Sequence, residues 1–259
     1  MLLSPLRYIN PLNCNRGGSA AFSIAKSFYL DGVDEEFSLG NEASLNSFMV
    51  GTNLQFTILF AVKRSELARL QGIFSKDDVS LNRSFWMRFQ TTNAFEFICN
   101  DTFSNKTDKW AGFTNTTDFY IGALVYDYTD AGVITKLYCN GSLVTKTSQA
   151  LINGNINSTS SDYIIAGDDI VGGSTFNYNG YINQIATLNI PITEAQYLSW
   201  YNNGKPKDAQ ALFGSNCKYF FNPDNSGDTA QFTVTDSVNS ITATSVNMED
   251  ADKTTITPY

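Results

Sequence analysis

Residues 178–205, YNGYINQIATLNIPITEAQYLSWYNNGK, decide how the chain is read. Gly180 stands near the start of a run in which Tyr181, Ile185 and Leu188 lie among β-formers, and this predicts a strand. Pro191 cannot donate to a ladder and so ends it. Thr193 supplies a side-chain cap, and Glu194 places negative charge in the first helical turn. Ala195, Leu198, Trp200 and Tyr201 then put apolar groups on one side of a short helix near 193–202, which Asn203-Gly204 stops.

Working outward, the same strand chemistry recurs. Leu54, Phe56, Ile58, Phe60 and Val62 alternate with Gln55, Thr57, Leu59, Ala61 and Lys63, and the second face is apolar enough for a central strand. Residues 64–70 (RSELARL) predict a helical turn before a strand at GIFSK. RSFWMRFQ and NAFEFICN predict a hairpin across Thr91–Asn93. Phe119–Tyr128 and Thr135–Cys139 are further strands, and Asn140-Gly141 is a hairpin turn because both residues accept positive φ. Residues 101–117 and 151–161 are polar and predict long loops; short strands are expected at Tyr163–Gly167, Cys217–Phe221 and Gln231–Val234. Abundant Phe and Tyr, with Asn, Thr, Ser and Gly between apolar runs, favour an all-β sandwich.

The combination resembles the laminin-G-like, concanavalin-A-like domains. Their closing segment has a strand, an "L-(T/S)-x-x-E/Q" helix start and a "Y-N-N-G" end, as in residues 178–205. Phe28–Phe37 resembles the family's entry motif, Phe56–Lys63 its "F-T-I-x-x-x-V-K" strand, and Lys136–Val144 its "L-Y-x-D-G-x-x-V" hairpin. The likeness covers roughly residues 20–205. It implies an all-β, two-sheet antiparallel jelly-roll sandwich with one short helix. Where the family usually carries a histidine, this chain has Gly122 or a neighbour, which leaves any site resting on that ring in doubt.

Several chemistries are excluded. The 259 residues contain no histidine, so a Ser/His or Cys/His triad and a Cys/His zinc site are absent. Cys14, Cys99, Cys139 and Cys217 form no CxxC and read as free, mostly buried thiols. A net charge of −8 argues against nucleic acid, and no run approaches the ~18 apolar residues that would insert in a membrane. No carboxylate pair lies at i, i+2 on a strand, the spacing that would set the about 5–5.5 Å of a retaining glycosidase. Six N-x-S/T sequons (Asn82, Asn100, Asn105, Asn115, Asn140, Asn157) are what an Asn/Ser/Thr-rich chain produces by chance.

Binding remains. Sugars are held by aromatic faces with amide, carboxylate and backbone groups on their hydroxyls. Trp110, Phe113 and Tyr128 beside Asn115 and Asp118 offer one such mixture. Asn177 and Tyr178, beside Asp168 and Asp169, offer another. Buried loop anchors and ordinary turn residues account for both sets more simply. Calcium, which many relatives hold, would fall on Asp127, Asp168 or Asp169, although no full ligand loop is present. The acidic group Asp31, Asp34, Glu35, Glu36 reads as a turn.

Three regions follow: an apolar, Pro-broken arm at 1–18, a sandwich domain at 19–235, and a Thr/Ser-rich strand or tail at 236–259. The start of the chain lacks a charged n-region and an unbroken apolar core, so cytoplasmic synthesis is expected. These features resemble bacteriophage virion proteins. The expectation is a non-catalytic structural or binding protein of a virion, self-associating or contacting other virion proteins through the Met1–Gly18 arm and the C-terminal tail. It also recognises bacterial surface polysaccharide on this reading. A glycan-binding adhesin outside a virion, or a polysaccharide-degrading glycosidase, are the alternatives.

Overall fold

The computed structural model describes residues 25–77, 83–100, 105–130, 134–149, 155–167, 176–226, 232–236, 238–248 and 252–258. The 1–18 arm lies outside them, as do Asp168 and Asp169. Among the described residues the chain is nearly all-β, with two antiparallel sheets facing one another.

The first sheet runs in the order β10 (Ser142–Leu143), β9 (Thr135–Cys139), β8 (Tyr120–Asp127), β3 (Gln55–Arg64), β13 (Asn179–Leu188), β1 (Ser27–Asp31) and β17 (Lys253–Thr254). A further strand, β14 (Cys217–Phe221), pairs with the second half of β13. The second sheet runs β11 (Lys146–Ser148), β7 (Asn105–Trp110), β6 (Phe95–Asn100), β5 (Phe85–Phe89), β4 (Gln71–Lys76), β12 (Tyr163–Ile165), β2 (Glu36–Ser38), β16 (Thr242–Val246) and β15 (Thr233–Thr235). The segment 236–259 therefore supplies β16, which lies between β2 and β15, and β17 beside β1.

Period-two alternation explains why β3 is central. Phe56, Ile58, Phe60 and Val62 enter the core between the sheets, while Leu59 and Ala61 enter a second apolar layer on the other face. Phe60 stacks on Phe95 of the opposite sheet with ring centroids 5.4 Å apart. The second layer is closed by α2 (Glu194–Tyr201) and α3 (Ala209–Phe213), whose Tyr197, Trp200, Ala209 and Phe213 are buried against β3, β8 and β13. The molecule thus stacks sheet, sheet and helical layer. Gly180 makes the β3–β13 contact sterically feasible: at φ +149°, a Cβ there would stand 2.0 Å from the Lys63 carbonyl oxygen.

The helix after Pro191 forms as its sequence dictates. Thr193 Oγ1 accepts from the Gln196 N–H and Gln196 Oε1 accepts from the Thr193 N–H, a complete capping box. Asn202, Asn203 and Gly204 all take left-handed φ and end it.

Three expectations are corrected. One helix was expected; α1 (Ala43–Met49) and α3 are also present. Helix α1 buries Leu45 and Met49 with no side-chain cap to announce it, and α3 is capped by Asp208 Oδ1 on the Ala211 N–H. Arg64 ends β3, and residues 65–70 are bends rather than a helical turn, because Ala68 adopts φ +54° and its N–H donates to Asn93 Oδ1. The expected loop at 101–117 contains β7, whose inward positions Lys106, Asp108 and Trp110 include charges and so hide the strand pattern. Asp108 is buried and ion-paired with Lys146 at 2.7 Å, which satisfies the charge.

Cys99 lies on β6 and Cys139 on β9, in different sheets, and both, with Cys217, are buried free thiols. Burial pushes the Cys139 and Cys217 thiols up to about 12.

Candidate functional site

The expected sugar-facing aromatics are mostly turned inward, which corrects the reading of Trp110, Phe113 and Tyr178. Trp110 is fully buried, edge-on to Phe95 at 5.9 Å. Phe113 packs against Phe95 and Tyr120 at 5.6 and 5.2 Å. Tyr178 is fully buried beside Phe89. Phe113 and Tyr178 share a neighbour in Arg64, a buried cation over the Phe89 ring at 4.6 Å, whose Nη1 donates to the Phe113 carbonyl at 2.8 Å. Asn177 is also buried, and its Nδ2 donates to the Val33 carbonyl at 2.6 Å.

Asn115, Asp118 and Tyr128 are at the surface. Asn115 Oδ1 accepts from the backbone N–H groups of Thr117 and Asp118 at 2.7 and 3.1 Å, and its Nδ2 donates to Asp118 Oδ2 at 2.8 Å. The pair is therefore a self-closed turn leading into β8. Tyr128 is 41% exposed at the far end of the same strand.

This turn forms one wall of a cleft of about 280 Å³ on the helical side of the first sheet. Lys63, Asp118, Asn140 and Tyr201 contribute its polar side chains, and Phe119, Ile121, Ile256 and Pro258 its apolar surface. Each polar group arrives by a different route. Lys63 is the last outward residue of β3, opposite Tyr181, and its ammonium lies 5.3 Å from that ring. Asn140 holds the turn after β9 at φ +48°, with Oδ1 accepting from the Ile121 N–H, so its Nδ2 is left for solvent. Tyr201 ends α2 with one face stacked on Tyr197. Among the described residues, the Lys63 ammonium has no carboxylate partner and Tyr201 Oη no hydrogen bond. Two neutral donors, an ammonium and a carboxylate over an apolar floor suit a polyhydroxylated ligand that has both polar edges and C–H faces.

Lys63, Asn140 and Tyr201 were not picked out from the sequence. Asn140 reads as a turn residue and Tyr201 as part of the helix's apolar side, roles they do fulfil. The signal for Lys63 was the alternation of β3, which puts it outward beside Tyr181.

A second cleft of about 280 Å³ lies at the other end of α2, lined by Val125, Asp127, Ile134, Lys136, Tyr138 and residues 191–194. Asp127, expected as a calcium ligand, accepts from Gln55 Nε2 at 2.8 Å and from the Thr129 hydroxyl and N–H at 2.7 and 3.0 Å. Burial opposes its ionisation, but these bonds outweigh burial and hold the carboxyl below its ordinary value. The Lys136 ammonium is raised by its hydrogen bond to Asp130. Among the described residues no three Cys, Asp or Glu side chains gather in a metal-binding group.

Gly122 or a neighbour stands where the resembled family usually has its histidine. A Cβ on Gly122 would stand 2.4 Å from Phe60 Cζ and 2.8 Å from the Tyr138 carbonyl oxygen, so the core has taken the space a ring would need.

No protein-family model and no curated protein sequence matches the chain. Solved structures do match in fold. A Bacteroides ovatus protein to which carbohydrate binding is ascribed aligns with a TM-score of 0.61 at 15% identity, over 86% of this chain. This chain spans 58% of that protein's length. The CBM40 domain of the Ruminococcus gnavus IT-sialidase, bound to α2,3-sialyllactose, aligns with a TM-score of 0.53 at 14% identity, over 69% of this chain and 98% of the domain. The extracellular region of zebrafish Gpr126/Adgrg6 aligns with a TM-score of 0.54 at 14% identity, over 90% of this chain and 26% of that one. At such identities the likeness is one of fold, a two-sheet antiparallel sandwich.

Proposed function

We propose that the chain is a non-catalytic glycan-binding module that seats a saccharide in the cleft of Lys63, Asp118, Asn140 and Tyr201. The observation that carries this reading is the convergence of Lys63 Nζ, Asn140 Nδ2 and Tyr201 Oη, available to a ligand, over an apolar floor. The fold's carbohydrate-binding relatives support the ligand class. A hydrolytic role is disfavoured because Asp31 and Glu35, the carboxyls joined by a hydrogen bond in the β1–β2 turn, are engaged with one another rather than aimed at a cleft.

The test is calorimetric titration with bacterial envelope polysaccharides, with calcium and then with chelator. Saturable binding without release of reducing sugar is expected. Lys63→Ala and Tyr201→Phe should each weaken it roughly two- to ten-fold, the effect of one hydrogen bond of about 0.5–1.5 kcal/mol. Binding untouched by either variant moves the site elsewhere, and no binding to any polysaccharide removes the reading. Loss of binding with chelator would bring Asp127 back as an ion ligand.

The same proposal sets the module on a bacteriophage particle, synthesised in the host cytoplasm and contacting other virion subunits. Its support is the sequence resemblance alone. Immunoblotting of purified particles tests it, with absence from them as the contrary outcome.

A further inference from the structure

The two clefts are alike in more than volume. Each holds an ammonium, a tyrosine and at least one carboxylate: Lys63, Asp118 and Tyr201 in the first, and Lys136, Asp127, Glu194 and Tyr138 in the second, where Lys136 is also ion-paired with Asp130. In both, the tyrosine ring stacks on Tyr197, at 5.8 Å for Tyr201 and 5.1 Å for Tyr138. Neither Tyr138 nor Tyr201 makes a hydrogen bond through Oη among the described residues. Tyr197 itself is fully occupied: its Oη donates to the Ile121 carbonyl and accepts from the Gly141 N–H. It is the pillar that sets both neighbouring rings.

Their placement is fixed by α2. Residues 191–194 at its start line one cleft, and Tyr201 and Gly204 at its end line the other. The eight residues of α2 span about 12 Å at about 1.5 Å each. The strand beneath agrees: Ile121 lines the first cleft and Val125 the second, four residues or about 13 Å apart.

We propose that the cleft of Asp127, Lys136 and Tyr138 is a second saccharide subsite, and that one polysaccharide chain occupies both clefts across α2. This rests on the glycan reading of the first cleft. A repeating polymer offers the same chemistry at regular intervals, and two clefts of related composition a fixed distance apart match that repetition. Binding at one end then presents the next segment to the other at high effective concentration.

The test begins with nuclear magnetic resonance titration of the full chain with D-glucose, D-galactose, N-acetyl-D-glucosamine and D-glucuronate. At least one sugar is expected to shift backbone amides around Asp118–Ile121 and, separately, around Val125–Tyr138. Lys136→Met should abolish the second set and leave the first. A polymer of the active sugar should bind roughly a hundred-fold more tightly than the monosaccharide, and Lys136→Met should remove most of that gain. Shifts confined to the first cleft overturn the second subsite and leave the glycan-binding function standing. Shifts at both clefts without a gain for the polymer overturn the spanning chain. Shifts at neither overturn the glycan reading as well.

Discussion

Glu35 lies at the turn between β1 and β2, with its carboxylate accepting from the Asp31 N–H at 2.8 Å. Burial first, and then the proton it shares with the Asp31 carboxyl, push it up to about 7 from an ordinary 4.5. The folded chain therefore holds this proton more tightly than the unfolded one. Its stabilising contribution is complete below pH 4.5 and is lost as pH rises through about 7. Urea unfolding across that window should show stability falling in the wild type and a flatter profile in Glu35→Gln. Parallel profiles would rule this carboxyl out as the source. In a chain without histidine, such a group is the kind that can titrate near neutrality. The sequence offered it only as part of an acidic turn, because its raised affinity for protons comes from burial. The same limit applies to Trp110, Phe113 and Tyr178. Their polar neighbours in sequence suggested a surface, and the contacts that turn them inward are with rings on other strands, Phe95 for Trp110 and Phe113 and Phe89 for Tyr178.

At the level of elements, α2 matters most, because it closes the second apolar layer and bounds both clefts. Its capping box makes a direct prediction. Thr193→Ala leaves the Gln196 N–H without its acceptor and should cost about 1 kcal/mol, read as a lower urea midpoint with an unchanged slope. A changed slope would mean that the helical layer unfolds separately from the sheets. This element was legible nearly residue by residue, since Pro191, Thr193 and the Asn-Asn-Gly stop act locally. The strands β3, β5, β6, β8 and β9 were legible for the same kind of reason: their alternation is short-range. Strand β7 was not, because Asp108 points inward, which Lys146 and Thr135, on other strands, make tolerable. Of the clefts, the sequence supplied Asp118 and Asp127 as candidates, but not the residues that α2 and β3 bring beside them.

For the whole molecule, the order of the two sheets has a consequence for association. The strands that end the two sheets are short: β10 and β17 have two residues each, and β11 and β15 three. The longer β14 is shielded, with the Phe220 N–H bonded to Asp236 Oδ1 and the Lys218 carbonyl to Asn239 Nδ2. Among the described residues, short end strands and a shielded β14 give a neighbouring chain little to zip onto. Copies crowded on a surface should therefore stay separate along their margins and meet, if they meet, through side-chain faces. Asp236→Ala with Asn239→Ala should uncover the β14 margin and bring on concentration-dependent fibrils, seen as thioflavin fluorescence that the parent lacks. A doubly substituted protein that stays as dispersed as the parent would show that the shield is redundant. On this account, the hydrogen bonds of Asp236 and Asn239 keep a sandwich rich in β-forming residues from growing into a filament.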